Sequence, residues 1–105
     1  MSMNNIEWYA PELLAGEAGV TDDLRACDVY AFGLVLYSIM TRQPLFSITN
    51  EMVLGYLIAK EGLVPVVPDY IPASLIAIMT QCWQFIPSKR PPIRQVYQEL
   101  LKLKF

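Results

Sequence analysis

Between Val29 and Thr41 the chain runs thirteen residues without a charge. Leu34, Val35, Leu36, Ile39 and Met40 cannot share one face at 3.6 residues per turn. A helix from about Cys27 to Thr41 is therefore apolar nearly all round and has to be surrounded by protein. It is too short to cross a bilayer, which takes about 20 apolar residues. Any fold for this chain must be built around that rod.

A length of 105 residues allows one small domain with a single core. With 54% apolar and 17% charged residues the chain is not disordered. Its mean hydropathy of +0.34 is high for so small a body. Part of its apolar surface is thus expected to face a partner, either the rest of a larger domain or a second copy of the chain. The plainer alternative is a self-contained helical bundle.

The net charge of −2 conceals an asymmetry. Residues 1–88 carry nine acids and three bases, residues 89–105 five bases and one acid. Arg94, Lys102 and Lys104 lie on or near a predicted terminal helix, whose C-terminal end favours cations. The positive charge is too interrupted for a nucleic-acid tract and has no aromatic platform beside it. The chain has no histidine, and Cys27 and Cys82 lack ligand spacing, which excludes the common zinc sites and imidazole catalysis. Both cysteines read as small buried apolar groups. The longest uncharged stretch, Tyr70–Ser88, is broken by Pro72, Pro87, Gln81 and Gln84, and reads as a buried helix with its exit loop, not a membrane span. The residues from Met1 to Asn5 show no signal-peptide pattern, so the expected location is intracellular (cytoplasmic).

The rest of the pattern is helical too. Residues 1–9 are expected to be extended, because the residue before Pro11 is biased away from helix. A short helical turn over Pro11–Ala15 leads to a loop with Gly16, Gly19 and two aspartates. Another helix opens near Asn50, a good cap followed by Glu51, and stops by Gly62. Residues 62–71 form a proline-rich extended connector. Pro72 suits the first turn of the next helix, in which Leu75, Met79, Cys82 and Trp83 share one face. Pro91 and Pro92 open the last, with Ile93, Val96, Tyr97, Leu100 and Leu101 as its apolar stripe. Val64–Val67 is too isolated and too closely bracketed by prolines to be a strand. The fold class is all-α.

Three blocks carry further meaning: Trp8-Tyr9-Ala10-Pro11-Glu12, Asp28-Val29-Tyr30-Ala31-Phe32-Gly33, and Cys82-Trp83-Gln84-Phe85-Ile86-Pro87-Ser88-Lys89-Arg90-Pro91. In this order and at these intervals the chain resembles the second half of the large lobe of a eukaryotic protein kinase, most closely of the tyrosine-kinase-like and tyrosine kinase groups. The resemblance spans about residues 4–103 and implies a partial kinase domain over 1–105, made of the C-lobe helices after the activation segment. It implies an ion pair between Glu12 and Arg90 across 78 residues of chain; a guanidinium fork can hold both carboxylate oxygens where lysine cannot. It gives Asp28 and Trp83 structural roles, at the start of the central helix and in the core. Asp28 in kinases also receives hydrogen bonds from the catalytic loop. It places Ile6, Glu7, Trp8 and Tyr9 on the loop that faces the substrate. Asn4 and Asn5 depart from the family's usual Gly-Thr, and Arg42 stands where the family usually turns through glycine. Ala31-Phe32-Gly33 is not a magnesium motif, since it follows the Ala-Pro-Glu block inside an apolar helix. Gly33 instead reads as a point of close helix packing.

The chain shows no glycine-rich phosphate loop, lysine–glutamate pair, catalytic aspartate or magnesium-binding aspartate, and no other nucleotide or nucleophile motif. No catalytic, cofactor-binding or metal residue is assigned. ATP and magnesium are implied only for an intact parent kinase phosphorylating Ser/Thr or Tyr, and the chain alone is expected to be inert. The expected partners are the missing N-lobe and catalytic loop or a second copy, with a protein substrate or docking protein, and neither nucleic acid nor membrane. The alternative is a non-catalytic, pseudokinase-like interaction module docking through residues 50–72. An unrelated bundle would leave Glu12 and Arg90 apart.

Overall fold

The computed structural model describes residues 6–16 and 24–103, and within them every regular element is helical. Helix α1 covers Pro11–Ala15, α2 Arg25–Thr41, α3 Glu51–Glu61, α4 Ala73–Cys82 and α5 Ile93–Leu101. Single 3-10 turns occupy Ile6–Trp8 and Pro87–Lys89. Asn4, Asn5, Gly19, the two loop aspartates and Lys104 lie outside the described residues. The expectation of an extended start gives way at Ile6–Trp8, where the Tyr9 amide donates to the Ile6 carbonyl at 3.1 Å and closes a turn. Ala10, directly before Pro11, is extended, at φ −63° and ψ 152°.

Local chemistry sets the helix ends. The Asn50 side chain accepts from the Met52 and Val53 amides at 3.0 and 3.1 Å, satisfying two donors that α3 cannot pair. Gly62, at φ 69°, ends α3 in a left-handed turn, with the Leu63 amide reaching back to the Leu57 carbonyl. Pro72 precedes α4 and Pro92 precedes α5, each as the non-helical residue at the start. The connector between α3 and α4 forms no strand; Tyr37 on α2 ties it down by donating its hydroxyl to the Val66 carbonyl at 3.0 Å.

Arg42 ends α2 with φ 55°, the one non-glycine residue in the left-handed region among those described. Its amide donates to the Ser38 carbonyl at 2.8 Å, so the turn is fixed by the helix end it closes. A Cβ in that region costs roughly 1–2 kcal/mol relative to the right-handed one. Arg42→Gly is therefore expected to stabilise the chain, by about 0.5–1 kcal/mol once the looser unfolded state is counted. Urea denaturation of the two proteins reads this as a higher midpoint at unchanged slope.

Helix α4 packs along α2, and α5 packs against α4. The main core joins Tyr30, Leu34 and Tyr37 of α2 to Leu75, Met79 and Trp83, with Leu45 and Ile71 from the connections. A smaller cluster gathers Val29, Ile78, Cys82 and Val96, flanked by Phe32, Leu36, Leu100 and Leu103. Two expectations need correcting. The central helix starts at Arg25, not Cys27, and is enclosed on one side only: Val35 and Ile39 are 40% and 64% exposed. The α5 stripe is also only partly covered, with Val96 buried but Ile93, Tyr97 and Leu101 exposed. In both helices the apolar arc is wider than the surface that the described residues supply to cover it.

Candidate functional site

The most completely satisfied polar centre lies where α1, the start of α2 and the loop before α5 converge. Pro11 fixes the first turn of α1 and Glu12 follows, 4% exposed. Arg90, 7% exposed, leaves the 3-10 turn Pro87–Lys89 with extended backbone. Its Nη1 donates to Glu12 Oε2 at 2.7 Å and its Nη2 to Glu12 Oε1 at 2.8 Å, a two-pronged pair. The remaining donors go to backbone carbonyls: Nε to Gln84 at 2.8 Å, Nη1 to Ala26 at 3.0 Å and Nη2 to Phe85 at 3.2 Å. A guanidinium has five N–H donors, and here each has an acceptor. Its carbon also sits 4.9 Å from the ring centroid of Tyr30. An unrelated bundle predicts no contact between these residues, and the contact is present.

Cys27 completes the centre by donating its thiol to Glu12 Oε2 at 3.2 Å. Sequence reasoning treated Cys27 only as a small apolar filler; the neglected signal is its place directly before Asp28, at the helix start nearest the pair. Burial raises the Glu12 pKa, but hydrogen bonds from Arg90, its own backbone amide and Cys27, with the arginine's charge, outweigh it and leave the net shift downward. Burial, with the carboxylate beside it, pushes the Cys27 thiol up to about 11. Burial alone does the same to Cys82, to about 11. Neither is a thiolate at neutral pH, so neither is a nucleophile. The centre fastens three segments together; it holds no group free to react.

Asp28 lies in the first turn of α2 with its side chain exposed, where the helix dipole favours a carboxylate. It borders a groove of about 770 Å³ whose walls include Val29, Ile93 and Arg94. Trp83 is buried and meets Tyr37 edge-on, with ring centroids 6.3 Å apart. Of the loop residues, Trp8 packs on the main core, Ile6 faces α3 and Tyr9 is 46% exposed. Ile6, Leu14, Met52, Gly55 and Tyr56 line a second, shallower groove of about 460 Å³ between the loop and α3.

Comparison with known proteins identifies the family. The family described as protein tyrosine and serine/threonine kinase matches residues 1–100. The chain is 30% identical over 96 residues to the mitogen-activated protein kinase kinase kinase zak-1 of Caenorhabditis elegans, covering 91% of this chain and 12% of that protein. It is 38% identical over 94 residues to the dual specificity protein kinase shkA of Dictyostelium discoideum, covering 89% of this chain and 17% of that protein. With the insulin-like growth factor 1 receptor of Xenopus laevis it shares 34% over 97 residues, 90% of this chain and 7% of the receptor. The chain thus spans under a fifth of each relative. The two-pronged centre, the helical fold and a match over nearly its full length place this chain in the protein tyrosine and serine/threonine kinase family.

Proposed function

We propose that the chain is the substrate-side helical scaffold of a protein kinase whose complete form transfers the terminal phosphoryl group of ATP, with magnesium, to a protein hydroxyl. The observation that carries this is the saturated Glu12–Arg90 centre, which ties α1, at the end of the segment from Ile6 to Ala15, to the start of α2 and the loop before α5. The groove between that segment and α3 is open and partly apolar, and suits a side chain of a bound polypeptide. Phosphoryl transfer rests on positioning and charge stabilisation, and the chain's share is to position.

ATP and magnesium belong to the proposed complete kinase, and no residue of this chain is assigned to either. Among the described residues no group of three or more histidine, cysteine, aspartate or glutamate side chains is placed to hold a metal. The Glu12 carboxylate is taken by Arg90 and Cys27, and Asp28 stands apart on the surface. No step through the nucleotide is assigned to this chain. No helix among the described residues is long and apolar enough to cross a membrane.

A chimera tests the reading: the matched span of shkA is replaced by this chain and phosphoryl transfer to a generic protein substrate is measured. The chimera is expected to be active, while the isolated chain shows neither transfer nor magnesium-dependent ATP binding. A chimera that is folded by circular dichroism yet inactive, or an isolated chain that phosphorylates itself, overturns the proposal. A second reading, a docking module working through residues 50–72, draws on the exposure of Met52 (86%), Tyr56 (58%) and Val66 (84%). It predicts partner binding that survives in a folded, inactive chimera.

A further inference from the structure

The geometry points to Gly55 as a specificity-determining residue. It leaves room, in the groove between the Ile6 segment and α3, for one bulky apolar side chain of an extended polypeptide that carries a basic residue toward Glu51 and an acidic one toward Lys60. This deepens the proposed function, and rests on it only in taking that polypeptide for the substrate. Glycine is the weakest helix former after proline, yet Gly55 stands in the middle of α3. The backbone does not ask for it, because Gly16 and Gly62 are the described glycines with positive φ. Nor does packing within the chain: a Cβ built at Gly55 would meet only Ile6 Cδ1, at 3.7 Å, an ordinary contact. What the missing side chain leaves is space, and that space belongs to the groove of about 460 Å³. Ile6, Leu14, Met52 and Tyr56 give it apolar walls. A large apolar side chain seated over Gly55 gains by burial, whereas a charged one gives up water.

Charge describes the rest of the occupant. Glu51 and Lys60, near the two ends of α3, are both exposed and both line the groove, with Gly55 close to midway between them. Nine residues of helix at 1.5 Å each set them about 13 Å apart. An extended polypeptide advances about 3.3 Å per residue, so it covers that distance in about four residues. The residues two before and two after the seated apolar side chain therefore come opposite the two charges, and complementarity asks for a base at Glu51 and an acid at Lys60. No base in the 105-residue sequence has an acid four residues before or after it. Neither a segment of this chain nor a second copy thus supplies the pattern, and a separate polypeptide does.

Fluorescence anisotropy of short labelled peptides on the full 105-residue chain tests this. The peptides carry a central Leu, Ala or Lys, with an Arg two residues to one side and a Glu two residues to the other, in both orders. The shkA chimera, given the same peptides with a phosphorylatable hydroxyl, supplies a second readout. The Leu peptide is expected to bind on the order of tenfold tighter than the Ala or Lys peptide. Gly55→Leu is expected to abolish that preference while circular dichroism shows the helix retained. Lys60→Glu is expected to weaken binding several-fold, and replacing the peptide's Glu by Lys to restore it, which a merely structural effect would not produce. Selective binding by the chain beside an inactive chimera upholds the groove's preference and overturns only the phosphoryl-transfer reading. A chimera that phosphorylates the Leu, Ala and Lys peptides alike overturns this inference and leaves that reading standing. So does a preference that survives Gly55→Leu, or binding that falls as the chain's own concentration rises, which would mean that a second copy fills the groove.

Discussion

Glu12→Gln is expected to destabilise the chain by roughly 3–5 kcal/mol, because it leaves a buried guanidinium without its counter-charge. A domain of this size has about 5–15 kcal/mol in all, so the variant stands near the unfolding threshold at room temperature. Arg90→Met should cost a similar amount by stranding the carboxylate. Combining the two removes both charges, so the double variant should lose well under the sum of the single losses. A coupling near 3 kcal/mol in a urea double-mutant cycle is the expected result, at the upper end for contacting residues. Arg90→Lys separates charge from shape. It keeps the cation but has only three donors on one atom, and it cannot reach Glu12 and the Gln84, Phe85 and Ala26 carbonyls together. A loss for Lys as large as that for Met would show that the fork matters more than the charge.

The same centre sets an acid limit. The Glu12 pKa is lowered in the folded chain from an ordinary value of 4.5. A carboxylate with a depressed folded pKa contributes stability that is fully present above its unfolded pKa and is lost as pH falls through the folded one. The stability gap between wild type and Glu12→Gln is thus expected to be constant near neutrality and to narrow below about pH 4.5. A gap unchanged into strong acid would mean that the pair contributes nothing through its charge.

How much of this was legible in the sequence depends on what each signal measures. Asn50, Gly62, Pro72 and Pro92 act within a few residues of themselves, and the helix limits they imply agree with the structure to within about two residues. The buried face of α4 was readable for the same reason: Leu75, Met79, Cys82 and Trp83 all find cover. Periodicity reports which side chains avoid water, not which neighbours are present to shield them. That is why α2 and α5 turned out half open where the pattern alone demanded enclosure. Glu12 and Arg90 could be linked only through the family resemblance, since no local pattern relates residues 78 apart. The three carbonyls and the thiol that complete the centre were invisible. They depend on where backbone from the three segments comes to rest, and amino-acid identity says little about that.

Gly33→Ala is the other change expected to have a large effect, and intrinsic propensity points the wrong way for it. Alanine in a helix interior is favoured over glycine by about 1 kcal/mol. Yet a Cβ at Gly33 would lie 2.7 Å from Cys82 Cβ, 3.2 Å from the Met79 carbonyl oxygen and 3.4 Å from Trp83 Cε3. None of these is the end of a flexible side chain. One is fixed to the α4 backbone, one belongs to it, and the third is part of a buried ring. Relief requires α4 to move away from α2 along the main interface of the fold. Overpacking typically costs about 1–3 kcal/mol, and contacts this rigid put it at the upper end, so a net loss of roughly 2 kcal/mol is expected after the propensity gain of about 1 kcal/mol. The clash is with Cβ, not the sulfur, so Cys82→Ala should fail to rescue the variant. Cys82→Gly should recover part of the loss relative to its own single-variant background. If Gly33→Ala instead proves neutral or stabilising in denaturant melts, the α2–α4 contact is looser than these distances require.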